Sequence, residues 1–234
     1  MWSISEVKQL GKGCFKANYW PCVLVAFLMS LFTGSAGARG SSNAQELNSE
    51  SFSNLTPEQQ SVVVMAVLGA SLAALAVFLV IKIFLANPIE LGGSRFFKQN
   101  VEAAPAPLGV LKAGFQNYGH TFVTMFLRDL YICLWMLLLI VPGLIKAYSY
   151  RMVPYILAEN PDMPANEIIT RSREMMKGHK WKSFLLDLSF LGWILLGILT
   201  LGIGLVFWTA PYMQSTDAAL YLKLKELQTA PAEA

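Results

Sequence analysis

Long apolar runs separated by short polar clusters organise the chain. The clearest runs lie at residues 19–32, extending to 38, and at 62–86. The second, VVVMAVLGASLAALAVFLVIKIFLA, is long enough to cross a bilayer as one helix at about 1.5 Å per residue. Between them, 39–60 is rich in Ser, Asn and Glu, carries Arg39 as its one basic residue, and reads as a loop. Residues 1–18 are polar, with Lys8, Lys12 and Lys16, and no convincing cleavage site follows the first run. That pattern predicts a retained span rather than a signal peptide.

Two further runs, 122–141 and 184–201, end at Pro142-Gly143 and at Gly202-Ile203-Gly204. A more polar stretch follows each. Residues 144–159 carry Lys146, Tyr148, Ser149, Tyr150 and Arg151, and 205–227 carry Gln214, Ser215, Thr216 and Asp217. Both stretches read as return helices whose polar residues face the bundle interior. Pro and Gly are tolerated at such turns, and no discontinuous helix is expected beyond them. Six spans result, with both termini on the cytoplasmic side.

Charge placement agrees with that orientation. The cytoplasmic side receives Lys8, Lys12, Lys16, Arg95, Lys98, Lys112, Arg171, Arg173, Lys177, Lys180, Lys182, Lys223 and Lys225, and the outer side only Arg39. Short basic loops resist translocation, so the asymmetry sets orientation. Four spans would leave both termini on the same side, so charge alone does not decide the count.

An internal repeat favours the larger number. Phe126-Leu127-Arg128-Asp129-Leu130 leads to Trp135 as Phe184-Leu185-Leu186-Asp187-Leu188 leads to Trp193, a register of 58 residues from Phe126 to Phe184. Pro154-Tyr155 and Pro211-Tyr212, and Gly119-His120 and Gly178-His179, echo it with one residue of slip. A repeat of this kind marks a repeated supersecondary unit, here a helical hairpin. Amphipathic stretches precede the hairpins. Ile168, Ile169, Ser172, Met175 and Met176 form one stripe within 166–180, and Ile4, Val7, Leu10 and Cys14 form another behind a Ser3…Glu6 capping box. Leu108, Leu111 and Phe115 make a shorter version.

The expected architecture is therefore all-α, with about six transmembrane helices in three hairpins, each preceded by a cytoplasmic amphipathic helix. Its parts are an amphipathic segment at 1–18, hairpin 1 at 19–86 with outer loop 39–60, and a cytoplasmic loop at 87–120. Hairpin 2 at 121–159, an amphipathic helix at 160–183, hairpin 3 at 184–227 and a tail at 228–234 complete it.

Composition narrows the function classes. Of 234 residues, 55% are hydrophobic and 14% charged, with 18 Lys+Arg against 15 Asp+Glu. A soluble domain is about 25% charged. The balance excludes a disordered chain, a nucleic-acid binder built on net charge and a disulfide scaffold. Cys14, Cys22 and Cys133 form no CxxC and read as small hydrophobes. With two His and no Walker A, HExxH or GxSxG motif, neither a metal, a cofactor nor an enzyme activity is expected.

Several blocks resemble one family. Asn87-Pro88-Ile89-Glu90-Leu91-Gly92-Gly93-Ser94-Arg95-Phe96-Phe97, the stretch from Tyr148-Ser149-Tyr150-Arg151 through Pro154-Tyr155 to Glu159-Asn160-Pro161, and Ser172-Arg173-Glu174-Met175-Met176-Lys177-Gly178-His179-Lys180 resemble the bacterial integral membrane proteins grouped as a domain of unknown function, DUF 975. Gly192-Trp193 and Thr200-Leu201-Gly202-Ile203-Gly204 look similar too. The family is distantly similar to the membrane domain of some glycerophosphodiester phosphodiesterases. The resemblance implies a polytopic helical fold in the bacterial plasma membrane, and brings no activity.

Candidate chemistry lies in charges set inside apolar helices. Asp129 and Asp187 occupy equivalent repeat positions, where two carboxylates share a proton or bind a cation, or each pairs with a nearby Arg or Lys. Lys146, Arg151 and Asp217 lie in the return helices, and each is costly against lipid. They line a polar cavity for an anionic headgroup or small anion, unless Lys146 snorkels outward and Asp217 pairs with Arg151. Arg171, Arg173, Lys177, Lys180 and Lys182 form a basic face that holds anionic lipid or simply sets topology. Membrane lipids are the expected partners, with a membrane protein as a second class. The leading reading is a non-enzymatic scaffold or accessory subunit acting through its amphipathic helices. The alternative is a small transporter or lipid translocator with a polar inner cavity.

Overall fold

The computed structural model describes residues 2–33 and 56–229, and every regular element among them is helical. Residues 34–55, which take in the end of the first run and most of the expected outer loop, and 230–234 of the expected tail lie outside the described residues.

Helix α1 (Ile4–Ala17) starts as its sequence dictates. The Glu6 amide donates to the Ser3 hydroxyl at 3.1 Å, and the Glu6 carboxylate accepts from the Ser3 amide. It does not lie free at an interface. Val7, Gly11 and Phe15 are buried, and α1 packs along the C-terminal helix. Leu10, expected on the apolar stripe, is exposed. At Asn18 the chain turns by 107° into α2 (Tyr19–Thr33). The Asn18 amide donates to Asn100 Oδ1 at 2.9 Å and to the Ala106 carbonyl at 3.0 Å, while Asn100 donates to the Cys14 carbonyl at 3.0 Å. One buried amide pair thus ties the corner to the Cys14 and Ala106 backbone.

Helix α3 (Pro57–Ile81) is apolar on every face and exposed over the length assessed, as a lipid-covered helix is. A π-helical segment (Lys82–Ala86) joins it to α4 (Asn87–Glu102). Here the structure differs from the expected loop at 87–120. Helix α4 buries Pro88, Leu91, Gly92, Gly93, Ser94, Phe96, Phe97 and Asn100, and a 3-10 helix (Leu108–Phe115) packs on it. Pro88 sits in the first turn, where a missing N–H costs nothing.

Helix α5 (Tyr118–Leu138) runs out and α6 (Ile140–Ser149) returns beside it. The stretch expected as one return helix is broken at residues 150–152, after which α7 (Val153–Glu159) begins with Pro154 in its first turn. Helix α8 (Ala165–Met175) buries Ile168, Ile169, Ser172 and Met175, so its stripe faces the bundle. The next apolar run is also interrupted, as α9 (Lys180–Leu188) and α10 (Leu191–Leu199). Leu201 and Gly202 turn the chain with positive φ, and a π-helical segment (Leu205–Thr209) opens α11 (Ala210–Thr229). Helix α11 is central. It packs on α1, α2 and α4 and buries Tyr212, Thr216, Leu220 and Tyr221.

Three stretches are long and apolar enough to cross a membrane: Pro57–Val77, Tyr118–Leu138 and Lys180–Leu199. The bent α1–α2 pair makes a fourth if counted as one span. Of the six expected spans, three or four meet that length and apolarity among the described residues, and α6 does not. The ten residues of α6 reach about 15 Å, half of a hydrocarbon core.

Candidate functional site

Two ion-pair clusters face one cleft between α4, α5, the α6–α7 break and α11. In the first, Arg128 of α5 binds Glu90 of α4 through both terminal nitrogens, at 2.5 and 3.0 Å, and its Nε donates to Asp129 at 2.9 Å. In the second, Arg151 binds Asp187 of α9 in the same forked manner, at 2.8 and 2.7 Å. Its Nη2 also meets Asp217 of α11 at 2.6 Å. The Tyr148 hydroxyl donates to Asp187 at 2.8 Å, and its ring lies 5.7 Å from the guanidinium.

The two arginines are well buried, with side chains 11% and 16% exposed, while Asp129 is the most open of the six at 36%. Removing such charges from water is costly, and forked pairing is the geometry that offsets the cost. The cleft between the clusters holds about 290 Å³, at the small end of ligand sites. Met29, Ser94, Tyr150, Tyr155 and Gln214 complete its wall beside Glu90, Arg128, Asp129, Arg151 and Asp217.

Each guanidinium is shared by two carboxylates, so the pair of clusters contains four acids and two bases. With all six ionised the centre is doubly negative. Six of the ten guanidinium N–H groups donate to these carboxylates, while each ionised carboxylate keeps lone pairs beyond the bonds it accepts. Such a site has acceptors to offer and few donors. Among the described residues no three His, Cys, Asp or Glu side chains converge as metal ligands do.

Of the residues singled out from sequence, Arg151, Asp187 and Asp217 therefore join directly, and Asp129 faces the same cleft. The repeat-related aspartates are each held by an arginine, but by different ones, so they do not share a proton. Lys146 is elsewhere: its ammonium rests 4.7 Å over the Trp135 ring and does not line the cleft. Arg171 and Arg173 are exposed on α8, Lys177 is exposed in the turn after it, and Lys182 donates to the Trp2 carbonyl. Pro154-Tyr155 and Pro211-Tyr212 each lie in the first turn of a helix, and both tyrosines are buried.

Sequence reasoning missed Glu90 and Arg128. The signal was an Arg next to an Asp in the middle of an apolar run, which demands a further acid for the excess of buried charge on that helix to be satisfied.

A family model described as a protein of unknown function, DUF975, matches residues 108–228, more than half of the chain. No curated protein and no solved structure matches it.

Proposed function

We infer, for a chain that belongs to the DUF975 family of unknown function, that it is a non-enzymatic multi-pass membrane protein binding a small cationic group in the cleft. This is the arrangement of a small transporter. The observation that carries the reading is the imbalance of the two clusters: four carboxylates surround two guanidiniums, and each guanidinium is shared by two of them. An anion entering the cleft meets a net negative charge, while an ammonium group meets acceptor positions on Asp129 and Asp217. A volume of about 290 Å³ suits a compact ligand of a few heavy atoms.

Broken helices support transport further. Arg151 lies in the interruption between α6 and α7, and Asp187 lies just before the interruption between α9 and α10. Membrane transporters place their sites where helices are discontinuous. The scaffold reading draws less support, because the apolar faces of α1 and α8 are occupied within the bundle instead of being free to dock a partner.

The test is thermal unfolding of the purified protein in detergent with methylammonium, ethylammonium or tetramethylammonium chloride, each against sodium chloride at equal ionic strength. One of the ammonium salts raises the midpoint, and D129N, at the most open carboxylate, abolishes the rise. Midpoints that do not distinguish these salts from sodium chloride, or a rise that survives both D129N and D217N, would falsify the reading.

A further inference from the structure

A second gathering of charge lies away from the cleft. The Ser172 hydroxyl donates to the Ser149 carbonyl at 2.9 Å, and both residues are fully buried. That bond pins α8 across the end of α6. Lys146 precedes Ser149 by one helical turn and Arg173 follows Ser172 directly, so the crossing carries both cations to one place. Arg173 also acts electrostatically on Tyr150, the residue after Ser149. Helix α9 then begins with Lys180, within electrostatic range of both Lys146 and Arg173.

Three elements thus bring three cations together. No carboxylate lies within 4.0 Å of any of them among the described residues, nor does any of the three donate a hydrogen bond to protein there. The contrast with the cleft is direct. There every guanidinium has two acids, whereas here like charges repel with nothing between them. An anion is the missing component. Arg173 is exposed and the two lysines are partly so, which leaves their donors accessible. Trp181, adjoining Lys180, is 70% exposed, and Trp135 underlies Lys146. Indole rings beside basic residues suit the headgroup layer of a bilayer, where one end of the ring is apolar and the other wet.

We propose that Lys146, Arg173 and Lys180 form a binding site for the phosphate group of an anionic phospholipid, with Trp135 and Trp181 beside its acyl chains. This rests on the membrane reading above but not on the cleft or its ligand. The site uses a subset of the basic face. Arg171 belongs to another side of α8, where its charge acts on Tyr221 of α11, and it is no part of the site.

The test is native mass spectrometry of the full chain in detergent, titrated with dioleoyl-phosphatidylglycerol, dioleoyl-phosphatidylcholine or inorganic phosphate. Phosphatidylglycerol adds at one equivalent before phosphatidylcholine does. R173Q, K180Q and K146Q each weaken that addition about fivefold, the share of one basic residue near a charged surface. R171Q leaves it unchanged. Arg173 is exposed, so R173Q keeps the wild-type fold and carries the test if a lysine variant does not. Equal loss in R171Q and R173Q overturns the site in favour of diffuse surface charge. Equal affinity for the two lipids overturns it outright, and binding of inorganic phosphate without phosphatidylglycerol overturns the lipid as its occupant. D129N, which removes the ammonium response of the cleft, leaves the lipid titration unchanged, so the two proposals fail separately.

Discussion

Two glycines in one helix test whether α1 is built into the bundle. A Gly inside a helix costs about 1 kcal/mol relative to Ala, so each replacement begins with a gain of that order. At Gly13 an added Cβ meets nothing within 4 Å, and the gain is kept. At Gly11 it lies 2.8 Å from Cα, N and Oγ1 of Thr216. Two of those atoms are backbone of α11, a helix held by α1, α2 and α4, and cannot rotate away. Overpacking of this kind costs about 1–3 kcal/mol, which offsets or exceeds the gain. G13A is therefore stabilised by about 0.5–1 kcal/mol, and G11A falls below it by about 1–3 kcal/mol. For a chain of this size each kcal/mol is worth about 2–4 °C in melting temperature, so circular dichroism in detergent resolves the two variants. An α1 lying in the headgroup layer, as its amphipathic pattern alone predicts, has no backbone facing Gly11. Equal gains in G11A and G13A would refute the packing argument.

Two other perturbations probe the charged groups. R151M removes the cation that Asp187 and Asp217 share and lowers unfolding stability by about 2–4 kcal/mol, between exposed and fully buried pairs because these side chains are 16–29% exposed. D217N leaves the forked Arg151–Asp187 pair intact and costs less; denaturation showing D217N as costly as R151M contradicts the arrangement. Burial, followed by the charge of Lys182, holds His179 below its ordinary 6.5, and its Nδ1 accepts from the Trp2 indole at 3.3 Å. The unfolded chain takes up that proton first, so stability is full above pH 6.5 and declines as pH falls toward the folded value, a slope that melting curves lose in H179Q.

Which parts were readable from sequence follows from the range of the physics involved. The Ser3–Glu6 capping box is settled within four residues and was legible. So was the stripe Ile168, Ile169, Ser172, Met175 and Met176, since a helical period names its buried face whatever it packs against. The link between Arg151 and Asp217 was legible as a demand, because isolated charges among apolar residues require partners. Helix α4 was not. Its Asn87, Gly92, Gly93, Ser94 and Asn100 interrupt any hydropathy pattern, and they are buried because the 3-10 backbone at Leu111 and the Met29 side chain press against Gly92 and Gly93. Close approach selects small residues rather than apolar ones, so the face that packs tightest reads as a loop, and Glu90 went with it. Lys146 was misplaced for a related reason. Hydropathy counts residues toward the far side of the membrane, but the short α6 brings it level with the start of α9.

The interruptions and the charges account for each other. A helix that stops midway frees backbone groups that need partners. At the break after α9, Lys8 of α1 donates to both the carbonyl and the hydroxyl of Ser189, at 3.2 and 3.1 Å. At the break after α6, the Tyr150 amide still reaches the Lys146 carbonyl at 3.0 Å, while Arg151 is released from the helix surface to fork onto Asp187. Glu90 likewise lies one turn beyond the π-helical segment that ends α3, and a π turn shifts the face on which all later residues lie. Uninterrupted helices hold a charged residue at the angle set by their period. The interruptions at α4, α6–α7, α9 and α11 let those elements, with the unbroken α5, bring six charged groups into two neighbouring clusters. What the chain obtains at these interruptions is a polar centre whose acids outnumber its bases by two, the excess that the proposed cation would balance.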